Sequence, residues 1–228
     1  MLEVNNLHFR YNSKGFRLED VSLRIEKGYF YTLVGENGSG KTTLLNLLYG
    51  IRKPKRGEIR WKGEILTSKN LPKFRQSAAY VGEVWCDEYA TPEANVRFLK
   101  LLYPAFDEEY FLEMVKKADL EWRLDCQYNL LSAGEQVKME LAFALARKPE
   151  LLILDEPLAG LDPVFKTDIL ELLQSAVAET GMTIFMATNL VTEVEDVTDF
   201  TGEIRDGRLV RFGSRLDAAE PGSGEVKA

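Results

Sequence analysis

Hydrophobic and polar positions alternate through the N-terminal segments LEVNNLHFRY and FRLEDVSLRIEKG. This period of two predicts two half-buried strands, joined by the turn-prone residues 12–15. The uninterrupted apolar run YFYTLVG predicts a buried strand next. A glycine-rich turn follows it, and GKTTLLNLLYG is then typical of a helix that ends at Gly50.

The middle of the chain changes from strand to helix patterns. GEIRWKGEIL predicts two short strands around a Lys62–Gly63 turn, and SAAYVGE predicts another strand. From Thr91 to about Ala118, apolar residues recur at helical spacing: Leu99, Leu102, Phe106, Phe111, Met114 and Val115. LSAGEQVKMELAFALARKP predicts a further helix, with Pro149 just beyond its end.

The C-terminal part alternates between the apolar strands LLILDEP and MTIFMAT and the helices PVFKTDILELLQSAVAE and LVTEVEDV. FTGEIRDGRLVRFG then predicts a hairpin on an Asp206–Gly207 turn. This alternation predicts an α/β fold with a mostly parallel sheet, preceded by an N-terminal antiparallel β layer. We expect one domain over residues 1–213, with an inserted α-helical subdomain at about 84–135 and a flexible tail over 214–228.

The composition argues against several classes of function. A net charge of −7 and a pI near 5.0 argue against general affinity for nucleic acid or anionic membrane surfaces. No apolar run reaches the about 18 residues of a spanning helix, and the N-terminus lacks a signal-peptide pattern. His8 is the only histidine, which excludes His-dependent zinc and nucleophile sites built elsewhere. Cys86 and Cys126 match no metal or redox spacing and favour two reduced thiols.

The segment GENGSGKTT fits the pattern G-x-x-x-x-G-K-[ST] between a predicted strand and a predicted helix. Backbone N–H groups of such a loop surround phosphate oxygens, and the helix presents its positive end. Lys41 then reaches the outer phosphates, and the Thr42 hydroxyl can bind Mg²⁺. The α/β domain is therefore predicted to be a P-loop NTPase core that binds the phosphates of a nucleotide through Gly35, Glu36, Asn37, Gly38, Ser39, Gly40, Lys41, Thr42 and Thr43.

Two carboxylates follow the apolar strand LLILDEP. Asp155 at the strand end can bind Mg²⁺ or its water, and Glu156 can polarise an attacking water. A solvated acidic turn is the alternative for this pair. Together with Lys41 the pair favours the catalytic interpretation, in which Lys41 and Glu156 act on the phosphate and the water.

In order and content, these motifs resemble those of ATP-binding subunits of ABC transporters, over about residues 2–213. The segment LSAGE, which ends at Glu135, is similar to the family signature LSGGQ, with Ala133 and Glu135 as mild departures. The resemblance implies that Ser132 and Gly134 approach the γ-phosphate of ATP held by a second subunit.

Two further positions take their roles from the resemblance. Asp162 ends the segment AGLD, which matches the D-loop that links the two sites of a dimer. Tyr11 lies where the family stacks an aromatic ring on adenine, and a tyrosine on a strand face is the alternative.

The sequence departs from the family at two positions. The family usually has Gln where this chain has Glu83, at a place that touches Mg²⁺ and faces the membrane partner. A carboxylate can still bind the metal, so Glu83 joins Thr42 and Asp155 as a predicted ligand. Asn189 occupies the position of the switch histidine, which contacts the γ-phosphate and orients the attacking water. Asn can donate a hydrogen bond but cannot carry a charge or exchange a proton, so hydrolysis is the property it puts in question.

Glu83, the segment YPAFDEEYF and the short chain most resemble the ABC-2 type exporters. The resemblance implies an ATPase on the cytoplasmic face of a membrane, where two such domains close head-to-tail around two ATP molecules. They would drive export through a separate transmembrane permease docked near residues 83–94. Whether the second ATPase subunit is identical stays open. The alternatives are a nucleotide-gated regulatory subunit with little turnover, suggested by Asn189, and a soluble ABC ATPase of an assembly system, suggested by Glu135.

Overall fold

A computed structural model describes residues 1–12, 15–82 and 86–214, which form two sheets surrounded by helices. The strands are β1 (Leu2–Arg10), β2 (Arg17–Ile25), β3 (Phe30–Val34), β4 (Arg56–Trp61), β5 (Glu64–Ile65), β6 (Ala78–Val81), β7 (Leu151–Asp155), β8 (Thr183–Thr188), β9 (Phe200–Arg205) and β10 (Arg208–Ser214). The α-helices are α1 (Lys41–Leu48), α2 (Leu71–Ser77), α3 (Pro92–Leu102), α4 (Glu108–Lys117), α5 (Ala133–Ala146), α6 (Pro163–Thr180) and α7 (Val191–Val194).

The first sheet is antiparallel, with strand order β2-β1-β4-β5. The second has the order β10-β9-β3-β8-β7-β6, with parallel pairing from β9 to β6 and antiparallel pairing between β9 and β10. The predicted α/β architecture, with its antiparallel β layer and mostly parallel sheet, is confirmed. Because the carboxyl ends of β3, β7 and β8 meet at one edge, the loops that follow them share a single site.

Both predicted two-residue turns are present. Lys62 and Gly63 have φ angles of 50° and 82° between β4 and β5, and Asp206 and Gly207 have 48° and 77° between β9 and β10. Positive φ at both central residues matches the twist of the paired strands, so these sequences close their hairpins tightly.

The helical region differs from the predicted pattern in two places. The helical periodicity through Ala118 belongs to two helices, because Pro104 lies in the segment that separates α3 from α4. Leu102 is exposed as a result. Helix α2 was not predicted, since Phe74 is its one buried residue and leaves no periodic signal. The limits of the domain and of the helical subdomain stay predictions. Ser214 ends β10, and residues 215–228 lie outside the described part of the chain.

The six-stranded sheet separates two hydrophobic cores. Leu152 and Leu154 of β7 pack with the helical side, whereas Leu151 and Ile153 pack with α1 and the antiparallel sheet. Successive side chains of a strand point to opposite faces, so burial on both faces requires an uninterrupted apolar strand. This explains the run LLIL.

A buried guanidinium joins α5 to the strand β6. Arg147 caps the C-terminal end of α5, and its Nη2 donates to the carbonyl oxygens of Arg75 (2.6 Å) and Ala78 (2.8 Å). Its guanidinium carbon lies 3.6 Å from the centre of the Tyr103 ring. The end of α5 that is remote from Ser132 is therefore fixed to the start of β6.

Candidate nucleotide-binding site

The predicted phosphate loop connects β3 to α1. Gly38 and Gly40 have φ angles of 82° and 114°, a region that side chains rarely adopt, and Gly40 is the residue before the first turn of α1. No side chain of the described segments caps this helix end, so its N–H groups face the loop. The Ser39 hydroxyl is buried and has no hydrogen-bond partner among the described residues.

The Lys41 side chain lies inside the loop and is only 5% exposed. Its ammonium donates to the carbonyl oxygens of Gly35 (2.7 Å) and Glu36 (3.1 Å) and lies 3.0 Å from Oε1 of Glu156. A buried ammonium requires such partners, since an uncompensated charge is costly to bury. Lys41 thus holds the loop in shape as well as supplying charge.

Thr42 and Asp155 come together opposite the loop. The Thr42 hydroxyl donates to Oδ1 of Asp155 at 3.1 Å, and the Tyr80 hydroxyl donates to Oδ2 at 3.1 Å. Burial raises the pKa of the Asp155 carboxyl, while these two hydrogen bonds act to lower it. Hard oxygen donors at a partly buried carboxylate suit Mg²⁺, so Thr42 and Asp155 fit the predicted metal site.

The sequence alone did not identify Tyr80 or Gly82 as part of this site. Gly82 has a φ of 128°, and a Cβ there would lie 2.9 Å from Cβ of Asp155. The backbone just after β6 therefore packs closely against Cβ and the backbone of Asp155. Glu83, the third predicted metal ligand, follows Gly82 and lies outside the described residues.

Glu156 and Asn189 are brought together by adjacent strand ends. The Asn189 backbone N–H donates to Oε2 of Glu156 at 3.2 Å, and the Asn189 side-chain amide lies 3.5 Å from Oδ1 of Asn37. Glu156 has a φ of 51°, and its N–H donates to the Ala187 carbonyl oxygen. Asn189 does not cap α7, because Leu190 is the residue that precedes the helix and no side chain caps it.

Tyr11 lies beside the first turn of α1. Its hydroxyl is 3.3 Å from Oγ1 of Thr43, and its ring meets the edge of Phe9 and the Arg52 guanidinium. Tyr11 is about half exposed, so a free part of the ring remains available. Its stacking on adenine stays a prediction.

The residues predicted to serve a partner site have local partners in this chain. Ser132 accepts from the Glu135 N–H at the start of α5, and the Glu135 carboxylate accepts from the Ser132 N–H (2.7 Å) and pairs with Arg123 (2.9 Å). The departure from the family signature at Glu135 is thus explained by a helix cap and an ion pair within this chain. Asp162 likewise caps α6.

Gly134 is buried, because the Phe165 ring covers it and an added Cβ would lie 2.7 Å from that ring. Ser132 beside it is exposed. Since Phe165 lies on a different helix, this cover was not visible in the sequence.

A model of the ABC transporter family matches residues 18–159, which include the phosphate loop, LSAGE and the Asp155–Glu156 pair. The chain belongs to this family. It is 34% identical over 194 residues to the ABC transporter ATP-binding protein YtrB of Bacillus subtilis, an alignment that spans 84% of this chain and 65% of that protein.

Two solved ABC structures have the same fold. A dimeric post-hydrolysis state of the ATP-binding cassette MJ0796, bound to ADP and Pi, has a TM-score of 0.83 at 27% identity and covers 94% of this chain and 98% of that one. CbiO1 of Clostridium perfringens, part of the ABC transporter complex cbiONQ, has a TM-score of 0.80 at 27% identity, with 95% and 89% covered. Within the part of the chain that the structure describes, no helix is long and apolar enough to cross a membrane.

Proposed function

We propose that this ABC transporter chain binds MgATP in the loop around Lys41 and hydrolyses it in a head-to-tail dimer. The dimer would lie on the cytoplasmic face of a membrane and drive export through a separate transmembrane permease. The observation that supports this most is the convergence of the Lys41 ammonium, the Thr42–Asp155 pair and the Glu156 carboxylate at one edge of the sheet.

Each group has a chemical task in this proposal. The loop N–H groups and the Lys41 ammonium bind the β- and γ-phosphates, and Thr42 and Asp155 hold Mg²⁺. When bound, Mg²⁺ neutralises charge on the phosphate oxygens. The bound phosphates replace Glu156 as the partner of the Lys41 ammonium. The Glu156 carboxylate, no longer in the ion pair, is then free to polarise the attacking water.

The second subunit would complete the site through Ser132 and the segment around Asp162. Ser132 is exposed at the start of α5 and can turn its hydroxyl towards a phosphate across the interface. Gly134 would contribute indirectly to this site, because it lets the Phe165 ring of its own chain pack closely against the start of α5. Dimers are known for the MJ0796 cassette, and a homodimer or a heterodimer would satisfy the same geometry.

The permease would dock beside residues 83–94, the predicted acidic segment. In its described part, Tyr89 is 67% exposed, and Asp87 is fixed because Asn95 bonds both its N–H and its carbonyl oxygen. A rigid turn with an exposed aromatic ring suits a protein interface. The cbiO1 relative is part of the ABC transporter complex cbiONQ, which supports such a partner.

A second candidate function is favoured by Asn189. Because Asn189 contacts Asn37 and Glu156 but carries no titratable group, the chain could gate a complex by nucleotide binding with little turnover. The assembly-system alternative was suggested by Glu135. Because Glu135 has structural partners within its own chain, this residue no longer favours that alternative.

The test is to purify the chain with its bound partners from detergent-solubilised membranes and to measure ATP hydrolysis and transport in proteoliposomes. Co-purification of a membrane protein with ATP-dependent outward transport is the expected result. Nucleotide affinity without turnover would support the gating function instead. Recovery with a soluble scaffold alone would overturn the transport proposal.

A further inference from the structure

The turn between β9 and β10 joins three parts of the fold. The Gly207 N–H donates to the Ser39 carbonyl oxygen at 2.9 Å, and the Gly207 carbonyl oxygen accepts from the Glu19 N–H at 2.9 Å. Both backbone groups of one residue are therefore used, one on the phosphate loop and one on β2. Arg208 adds an ion pair to Glu19 beside this junction.

The bond to Ser39 fixes the orientation of a peptide that faces the ligand. In a planar trans peptide, the carbonyl of one residue and the N–H of the next point in opposite directions. Because the Ser39 carbonyl points to Gly207, the Gly40 N–H points away from the β9–β10 turn, and in the proposed function it is one of the loop N–H groups that face the phosphates. A flip of this peptide would present a carbonyl oxygen to the phosphate in place of an N–H donor.

Glycine at position 40 permits such a flip. A peptide flip between residues 39 and 40 requires a large change in φ of the second residue, which glycine tolerates and other residues resist. Gly40 has a φ of 114° and no Cβ. Its freedom allows the unusual loop and also the wrong orientation, so the loop needs an external constraint.

The residue type at 207 is dictated by its surroundings. An added Cβ at Gly207 would overlap the Arg17 carbonyl oxygen and lie 3.4 Å from Cα of Leu18. These are backbone groups of a paired strand and cannot rotate away. Any larger residue must therefore displace the turn from β2 or from the phosphate loop.

We propose that Gly207 is a positioning residue for nucleotide binding, which holds the Ser39–Gly40 peptide with its N–H directed at the bound phosphate. The inference rests on the proposed function of the phosphate loop. Gly207 acts through Ser39, because its own N–H is already donated.

The chain contains a matched control for the substitution Gly207→Ala. Gly63 occupies the second position of the other two-residue hairpin turn, with a φ of 82° against 77° for Gly207. A Cβ at Gly63 would meet nothing within 4 Å. Gly63→Ala therefore carries the same left-handed backbone strain without the contact at Arg17.

The experiment measures MgATP affinity by calorimetry and melting temperature for the parent, Gly207→Ala and Gly63→Ala. Loss of one donor to a charged phosphate should weaken MgATP binding by about tenfold in Gly207→Ala, while Gly63→Ala keeps the affinity of the parent. Equal affinity of a folded Gly207→Ala and the parent would overturn the inference. No binding by the parent would instead overturn the proposed function itself, together with this inference.

A measurement on the parent protein keeps the inference testable if Gly207→Ala does not fold. Coupling between two sites is reciprocal, so saturating MgATP should slow hydrogen exchange at the Gly207 amide as well as in the phosphate loop. The amide of Gly63 should exchange at an unchanged rate. Protection of residues 35–42 without protection of Gly207 would contradict the proposed coupling.

Discussion

The Lys41 ammonium and the Glu156 carboxylate form an ion pair, with Nζ 3.0 Å from Oε1. The pair joins the residue proposed to neutralise phosphate to the residue proposed to polarise water. A nucleotide bound as proposed would therefore compete with Glu156 for the ammonium, and the carboxylate would be released only when phosphate has arrived. In this arrangement, Glu156 would become available as a base only when the nucleotide site is occupied.

Replacing Lys41 with Ala should weaken MgATP binding by roughly tenfold to a hundredfold, because a charged donor to phosphate is lost. Calorimetry gives the affinity. Lys41 also supports Gly35 and Glu36, so we expect a melting temperature a few degrees lower, by about 2–4 °C per kcal/mol lost. The control is Lys62→Ala, which removes an exposed ion pair to Glu150. Unchanged affinity in Lys41→Ala would show that the phosphate site is elsewhere.

Glu156→Gln should accumulate as an ATP-bound dimer. The substitution keeps the shape of the side chain and an acceptor for the Asn189 N–H, but it removes the base and reduces the negative charge near ATP. Size exclusion at high MgATP measures the dimer fraction. Glu150→Gln, on the surface ion pair, should elute like the parent. A strictly monomeric Glu156→Gln protein would argue against a homodimer and for a different second subunit.

Asn189→His should raise kcat with little change in KM for ATP, in a steady-state assay beside the parent. A histidine can orient water and exchange a proton, and such contributions are worth ~10²–10⁴-fold; we expect the lower end because Asn retains a donor. A gain in kcat alone marks an interaction that is stronger in the transition state. An unchanged rate in a variant with the melting temperature of the parent would reject Asn189 as the switch position.

Glu135→Gln should be less stable than the parent at neutral pH and similar to it in acid. Burial acts to raise the pKa of the Glu135 carboxyl, but the Ser132 N–H and the Arg123 guanidinium together outweigh it and hold the pKa below its ordinary value. A lowered folded-state pKa stabilises the protein above the ordinary value of about 4.3 and ceases to do so as the pH falls through the folded value. Thermal melts from pH 7 to pH 3 should show a difference of about 1 kcal/mol that disappears in acid. A difference that persists in acid would mean that packing, not charge, is lost.

Sequence patterns predicted most of the secondary structure because local chemistry dictates it. The turns Lys62–Gly63 and Asp206–Gly207 close hairpins wherever strands flank them. The run LLIL required a strand buried on both faces. Pro104 was present in the sequence, but the apolar spacing across it stayed helical, so the break between α3 and α4 was missed.

The site was predictable in its residue types but not in its contacts. The loop sequence identified Lys41, while its ion pair with Glu156 depends on how two separate strands end. The Phe165 ring on Gly134 and the Gly207 bond to Ser39 join segments that are distant in sequence. Such contacts follow from the packing of the two layers, which local periodicity does not encode.

Arg147 ties the C-terminal end of α5 directly to the backbone of the parallel sheet. The guanidinium holds the C-terminal end to the backbone before β6, whereas Ser132 at the other end has no comparable attachment to the parallel sheet among its described hydrogen bonds. The helix has 14 residues. At about 1.5 Å per residue its length is about 21 Å, so a rotation of about 10° around Arg147 would carry Ser132 through roughly 4 Å. A displacement of that size exceeds the length of a hydrogen bond, so the proposed contact of Ser132 with a phosphate of the second subunit would depend on how firmly Arg147 holds the other end of α5.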